Sequence, residues 1–194
     1  MNGGGHRIFI AVPLDHALAR AVETAERQLE AAGVVLKWIA PDNLHLTLRF
    51  LGEISPPQLT RARRAARAAV EGVEAFQIRI TGIGAFPTVR RPRVVWVGVA
   101  EGAEKLVDLA HRLDDALARE RFPKESRAFH PHLTLARIKG AGRSPALEAA
   151  IGPLGALEVG RQWVKSLVVL ESHLRPSGAL YIPVEEVPLS THEK

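Results

Sequence analysis

The 194-residue sequence contains no cysteine. That excludes disulfide staples, thiolate metal sites and a cysteine nucleophile. No apolar run approaches the roughly 20 residues that cross a bilayer. The glycine-rich start, Met1-Asn2-Gly3-Gly4-Gly5-His6, has neither the sustained apolar stretch nor the small-residue cleavage site of a secretory signal. No membrane association and a cytoplasmic location are therefore the expectation. Gly82-x-Gly84 is not a dinucleotide fingerprint, because no third glycine opens a helix behind it.

Hydrophobic residues make up 46% and charged residues 24%, the balance of an ordinary globular protein large enough to bury a core. The length suits one domain, or two small lobes sharing one interface. The formal net charge is +5. Arginines supply most of it, in clusters at Arg61/Arg63/Arg64/Arg67, Arg90/Arg91/Arg93 and Arg119/Arg121/Lys124/Arg127. Such clusters fit a polyanionic partner or a solvated face equally well.

Hydrophobic spacing predicts alternating short strands and amphipathic helices. Strands are expected at 7–12, 34–39, 44–51, 76–80, 94–99, 132–138, 163–172 and 179–184. Helices are expected at about 14–32, 56–70, 103–121 and 145–151. Pro41-Asp42-Asn43 and Pro176-Ser177-Gly178 read as turns, Phe122-Pro123 as a helix stop, and Gly140–Ser144 as a loop. The stretch holding Gly82, Gly84, Phe86 and Pro87 also reads as a loop, and the tail from Ser190 to Lys194 as frayed.

One feature repeats. His45-Leu46-Thr47-Leu48 recurs as His132-Leu133-Thr134-Leu135, nearly half the chain away. The repeat suggests a pseudo-symmetric, two-lobed α+β protein, and hairpin-like pairs such as 163–172 with 179–184 favour antiparallel pairing.

In a strand, side chains alternate between faces. His45 and Thr47 then share one face, as do His132 and Thr134, with leucines behind both pairs. An imidazole moves protons near neutral pH, and a threonine two residues on can donate to an anionic oxygen. Two such pairs facing each other would equip a site for in-line phosphoryl displacement, with a base, an acid and neutral donors. Strict alternation places Arg49 on the histidine face of its strand and Arg137 on the leucine face, so a bulge would be needed to turn Arg137 inward.

His130 and His132 stand at the spacing of two strand-borne metal ligands, but Glu125 is the one acidic residue nearby to serve as a third. His130 reads rather as structural or at the edge of a cleft. His6, His16, His111, His173 and His192 have no paired partner and read as surface or structural residues. Trp38, Phe50, Phe86, Trp96, Phe129 and Tyr181 are candidate base-stacking rings, with core packing the alternative for most of them.

These residues carry a resemblance. The chain resembles the 2H phosphoesterases, and most closely their bacterial and archaeal RNA 2′,3′-cyclic phosphodiesterases, also called 2′-5′ RNA ligases. The resemblance runs through Arg7–Leu14, Asn43–Glu53, Gly84-Ala85-Phe86-Pro87, Arg93–Gly98, Phe129–Arg137, Leu170-Glu171-Ser172 and Gly178-x-x-Tyr181. It implies one bilobal α+β domain over residues 1–194 with pseudo-two-fold symmetry. Two antiparallel sheets would line a central cleft, with helices outside, and residues 1–6 would form a flexible extension.

The resemblance also implies opening of RNA or nucleotide 2′,3′-cyclic phosphate ends to 2′-phosphates, with no metal and no cofactor. His45 would be the proton donor and His132 the proton acceptor. Thr47, Thr134 and Arg137 would bind the phosphate. The expected protein is a monomer. Joining of 2′-5′ RNA ends, the reverse displacement, and a non-catalytic RNA-end or nucleotide-binding module are the alternatives.

Overall fold

A computed structural model describes residues 5–31, 33–34, 36–138, 144–155, 157–176 and 178–191. The chain forms two antiparallel sheets with helices on their outer faces. The first sheet has the order β3-β1-β8-β9 and the second β2-β6-β5-β4-β7. In chain order the strands are β1 (His6–Pro13), β2 (Lys37–Trp38), β3 (His45–Ile54), β4 (Phe76–Thr88), β5 (Arg91–Val99), β6 (His132–Arg137), β7 (Glu158–Val164), β8 (Ser166–Arg175) and β9 (Gly178–Pro188). The helices are α1 (His16–Ala31), α2 (Pro56–Val70), α3 (Ala103–Arg119) and α4 (Pro145–Leu154). The α+β class, the antiparallel pairing and the two-lobed plan agree with the sequence reading. No described helix is long and apolar enough to cross a membrane.

The helices form where the apolar spacing put them. On α2, Ala62, Ala65, Ala66 and Ala69 are buried in a row, and these small side chains let α3 lie close alongside. Ser55 N–H donates to the Gln58 side chain at 2.9 Å, securing the start of α2. Arg112 of α3 donates to the Ala69 and Glu71 carbonyls and secures its end. On α3, Leu106, Leu109, Leu113 and Leu117 are buried. That helix ends earlier than expected, because Arg121 adopts a left-handed φ of 68°. One continuous core joins α1 to α4 with both sheets, and Leu46 and Leu133 of the twin motifs are fully buried in it.

Several expectations need correction. The stretch around Gly82, Gly84, Phe86 and Pro87 is no loop: β4 runs through it and pairs with β5 out to Thr88↔Arg91. Glycine at 84 is a packing requirement rather than a turn signal, because a Cβ there would lie 2.2 Å from the Trp96 ring. The apolar run 163–172 is two strands, β7 ending at Val164 and β8 beginning at Ser166. Among the described residues of 34–39, the expected strand is reduced to the two-residue β2. His6 opens β1 and bonds Glu171 at 2.9 Å, so it belongs neither to a flexible extension nor among the unpaired histidines. The extension proposed for residues 1–4 lies outside the described residues, as do His192, Ser177 and most of the 140–144 loop. Ser190 is hydrogen-bonded to Val73 and Ala75 rather than frayed.

Candidate active site

The two motif strands, β3 and β6, lie next to each other, one from each sheet. Each is built the same way. The β1–β3 register slips between Arg49 and Thr47, leaving Leu48 as the extra residue of a bulge. The β5–β6 register slips between Ala136 and Thr134, leaving Leu135 as the extra residue. Both bulges fall at the fourth position of the repeated tetrapeptide. A bulge reverses the alternation beyond it.

The consequence is clear in the burial pattern. Leu48 and Arg49 are both buried, and Phe50 is 60% exposed. Leu135 and Ala136 are both buried, and Arg137 is exposed. Phe50 and Arg137 are therefore the pseudo-equivalent pair on the cleft face, and Arg49 and Ala136 the pair on the helix face. This supplies the bulge that Arg137 required. It also corrects the placement of Arg49, which turns away from the histidines.

Arg49 instead bonds the Pro123 carbonyl and lies 3.0 Å from Glu125 and 3.6 Å from Asp114. It ties the first motif strand to the segment that leads into the second. Glu125 is thereby engaged. Its hydrogen bond from Arg127, with the Arg49 charge adding, pulls its carboxyl down to about 2.

The two histidines are oriented by twin bonds. His45 Nδ1 lies 2.7 Å from the Asn43 carbonyl, and His132 Nδ1 lies 2.6 Å from the His130 carbonyl. A carbonyl only accepts, so each Nδ1 carries the proton and each Nε2 is left available. His130 thus serves His132 through its backbone. Among the described residues no three His, Asp or Glu side chains converge as a metal site.

Rings form a floor under each imidazole. Phe9 and Tyr181 lie 4.8 and 5.2 Å from His45 between ring centres. Phe86 and Trp96 lie 4.9 and 6.3 Å from His132. Asn43 Nδ2 donates to the Ala179 carbonyl at 2.8 Å and so holds the strand that carries Tyr181. Among the other candidate rings, Trp38 donates to Glu30 at 2.7 Å and Phe129 packs against the core. Only Phe50 is both on the cleft face and largely exposed.

Burial pushes the His45 imidazole down to about 4; its bond to Asn43 opposes this, and the charges of Arg137 and His132 add to it. Burial also lowers His132, against its bond to His130. The Arg137 guanidinium is thus near enough to be felt at His45. Thr47 stands opposite Ala11 and Thr134 opposite Trp96, each half-buried on the histidine face. The structure brings together His45, Thr47, His132, Thr134 and Arg137. Sequence reasoning missed the orienting carbonyls of Asn43 and His130, since a backbone acceptor leaves no side-chain signature.

The profile of the 2′-5′ RNA ligase superfamily matches residues 14–175. A Methanothermobacter thermautotrophicus protein named RNA 2′,3′-cyclic phosphodiesterase is 38% identical, across 92% of this chain and 96% of its own. A protein of the same name from Aeropyrum pernix is 43% identical, across 80% and 87%. Among solved structures, a Thermus thermophilus protein superposes with a TM-score of 0.79 at 27% identity, covering 94% of this chain and 97% of that one. Escherichia coli LigT complexed with NADP+ superposes with a TM-score of 0.73 at 28% identity, covering 95% and 98%.

Proposed function

We propose that this chain, which belongs to the 2′-5′ RNA ligase superfamily, hydrolyses 2′,3′-cyclic phosphate ends of RNA or nucleotides to 2′-phosphates by metal-independent two-histidine catalysis. The observation that carries the reading is the pair of Nδ1–carbonyl bonds, which leave one Nε2 available on each motif strand. The names of the relatives supply the substrate class.

In this reading His132 Nε2 takes a proton from water as the water oxygen attacks phosphorus. The P–O3′ bond breaks, and protonated His45 Nε2 gives its proton to the departing O3′. A new P–O bond replaces the old one, and the phosphate stays on O2′. Arg137 and the hydroxyls of Thr47 and Thr134 hold the non-bridging oxygens. Phe50, exposed beside this constellation, offers its ring to the terminal base.

The free-site electrostatics do not themselves make His45 the acid, because both imidazoles are lowered toward the neutral form. A bound phosphate anion favours an imidazolium beside it, and the choice of His45 as that imidazolium is carried over from the family resemblance. Both motifs come from one chain, which supports action as a monomer, and the reading places that monomer in the cytoplasm with no cofactor.

Steady-state hydrolysis of a 2′,3′-cyclic mononucleotide by H45A and H132A tests the proposal. Each substitution should lower kcat about 10²- to 10⁴-fold while circular dichroism stays native. Near-normal turnover by either folded variant would overturn the acid–base assignment.

A further inference from the structure

β2 has no counterpart in the first sheet, where the motif strand β3 is itself the edge. In the second sheet β2 covers the outer side of β6, pairing Lys37 with Arg137 and Trp38 with Ala136. Residues directly opposite in an antiparallel pair share a face, with Cβ atoms about 4.5–5.5 Å apart. Ala136 is fully buried, and Trp38 packs against the core and donates to Glu30. That pair faces the helices. Lys37 and Arg137 therefore stand side by side on the cleft face, both exposed.

Like charges directly opposite each other destabilise a sheet. Among the described residues neither cation forms an ion pair or hydrogen bond. An anion between or beside them removes the repulsion. Lys37 stands one strand spacing, about 4.8 Å, from Arg137. The reacting phosphate already has Arg137, two hydroxyls and two imidazoles around it. A lysine, a flexible point charge without fixed fork geometry, suits a phosphate that is held but not reacting.

We propose that Lys37 binds the phosphodiester on the 5′ side of the terminal nucleotide while Arg137 holds the terminal cyclic phosphate, so that the site selects RNA ends over cyclic mononucleotides. The inference rests on the activity proposed above and specifies its substrate.

The experiment compares wild type, K37A and K37R on two substrates: a 2′,3′-cyclic mononucleotide, and a short oligoribonucleotide ending in a 2′,3′-cyclic phosphate. K37A should raise KM for the oligonucleotide about tenfold with kcat unchanged, and leave mononucleotide kinetics as in wild type. The slope of log kcat/KM against log salt for the oligonucleotide should become shallower by about 1. K37R should restore most of the oligonucleotide KM. Equal losses on both substrates would place the lysine on the terminal phosphate and overturn the inference. No change on either would leave it as a charge guarding an open sheet edge and overturn it equally. Should wild type cleave neither substrate, the proposed activity fails. The inference is then decided by anisotropy of a labelled single-stranded oligoribonucleotide, which K37A must bind more weakly than wild type at matched salt.

Discussion

His45 and His132 have the same neighbours in kind: a backbone carbonyl two residues back on Nδ1 and two rings close by. Their shared burial has a kinetic consequence. A reaction needing one imidazole protonated and the other free has its kcat/KM maximum midway between the two free-protein pKa values. Both values are lowered from 6.5, so the maximum of the kcat/KM profile should fall below pH 6.5. A maximum above 7 would contradict the assigned electrostatics.

Stability follows the same sign. The folded His45 pKa lies near 4, beneath its unfolded value of about 6.5, so the unfolded chain binds protons first. The stability contribution is present above about pH 6.5 and lost as pH falls through about 4. Its size is on the order of 3 kcal/mol. Urea unfolding of H45Q should therefore show a smaller stability difference between pH 7 and pH 4.5 than wild type. An unchanged difference would place the proton uptake elsewhere.

The strands explain what residue counting could not. Alternation correctly put His45 with Thr47 and His132 with Thr134. It then failed at the fourth motif position, because a bulge adds one residue without disturbing the hydrophobic pattern: Leu48-Arg49 and Leu135-Ala136 are both buried pairs. Arg49 and Arg137 exchanged expected faces for that reason. The two arginines should accordingly behave differently. R137A should lower kcat/KM by about 10²-fold or more with no loss of melting temperature, since it also removes the like charge opposite Lys37. R49A, which leaves Asp114 and Glu125 without their shared cation, should chiefly lower the melting temperature. The reverse pattern would show that the bulges have been misassigned.

Glycine was the other misleading signal. Gly84 looked like a loop residue and is instead a strand residue over which the Trp96 ring lies. G84A must displace that ring, which lies 6.3 Å from His132 between centres. Overpacking of this kind costs roughly 1–3 kcal/mol. Denaturant unfolding should show that loss together with reduced turnover. A variant with wild-type stability would mean the ring has room to move.

At the scale of the whole molecule, two sheets bring together motifs that lie nearly half the chain apart. The repeat itself was legible, since a tetrapeptide recurring in two apolar strands survives in the sequence. So were α2 and α3, whose buried faces recur at helical spacing. The division of 163–172 into two strands was not, because uninterrupted apolar residues carry no mark of where one sheet is left and the other joined. The edge strand β2 was legible only as a longer strand over 34–39, because its short extent is fixed by pairing with β6 and by the Trp38–Glu30 bond rather than by local pattern. The asymmetry between lobes, with Phe50 on one motif strand and Arg137 on the other, makes the cleft directional. In the proposed reading the terminal base lies on one side and the phosphate on the other.

That directionality makes the chemical outcome specific, and phosphorus NMR of the product from a 2′,3′-cyclic mononucleotide reads it directly. A 2′-monophosphate formed by wild type and not by the H45A/H132A double variant is the predicted result. A 3′-monophosphate, or equal product from the double variant, would contradict the account.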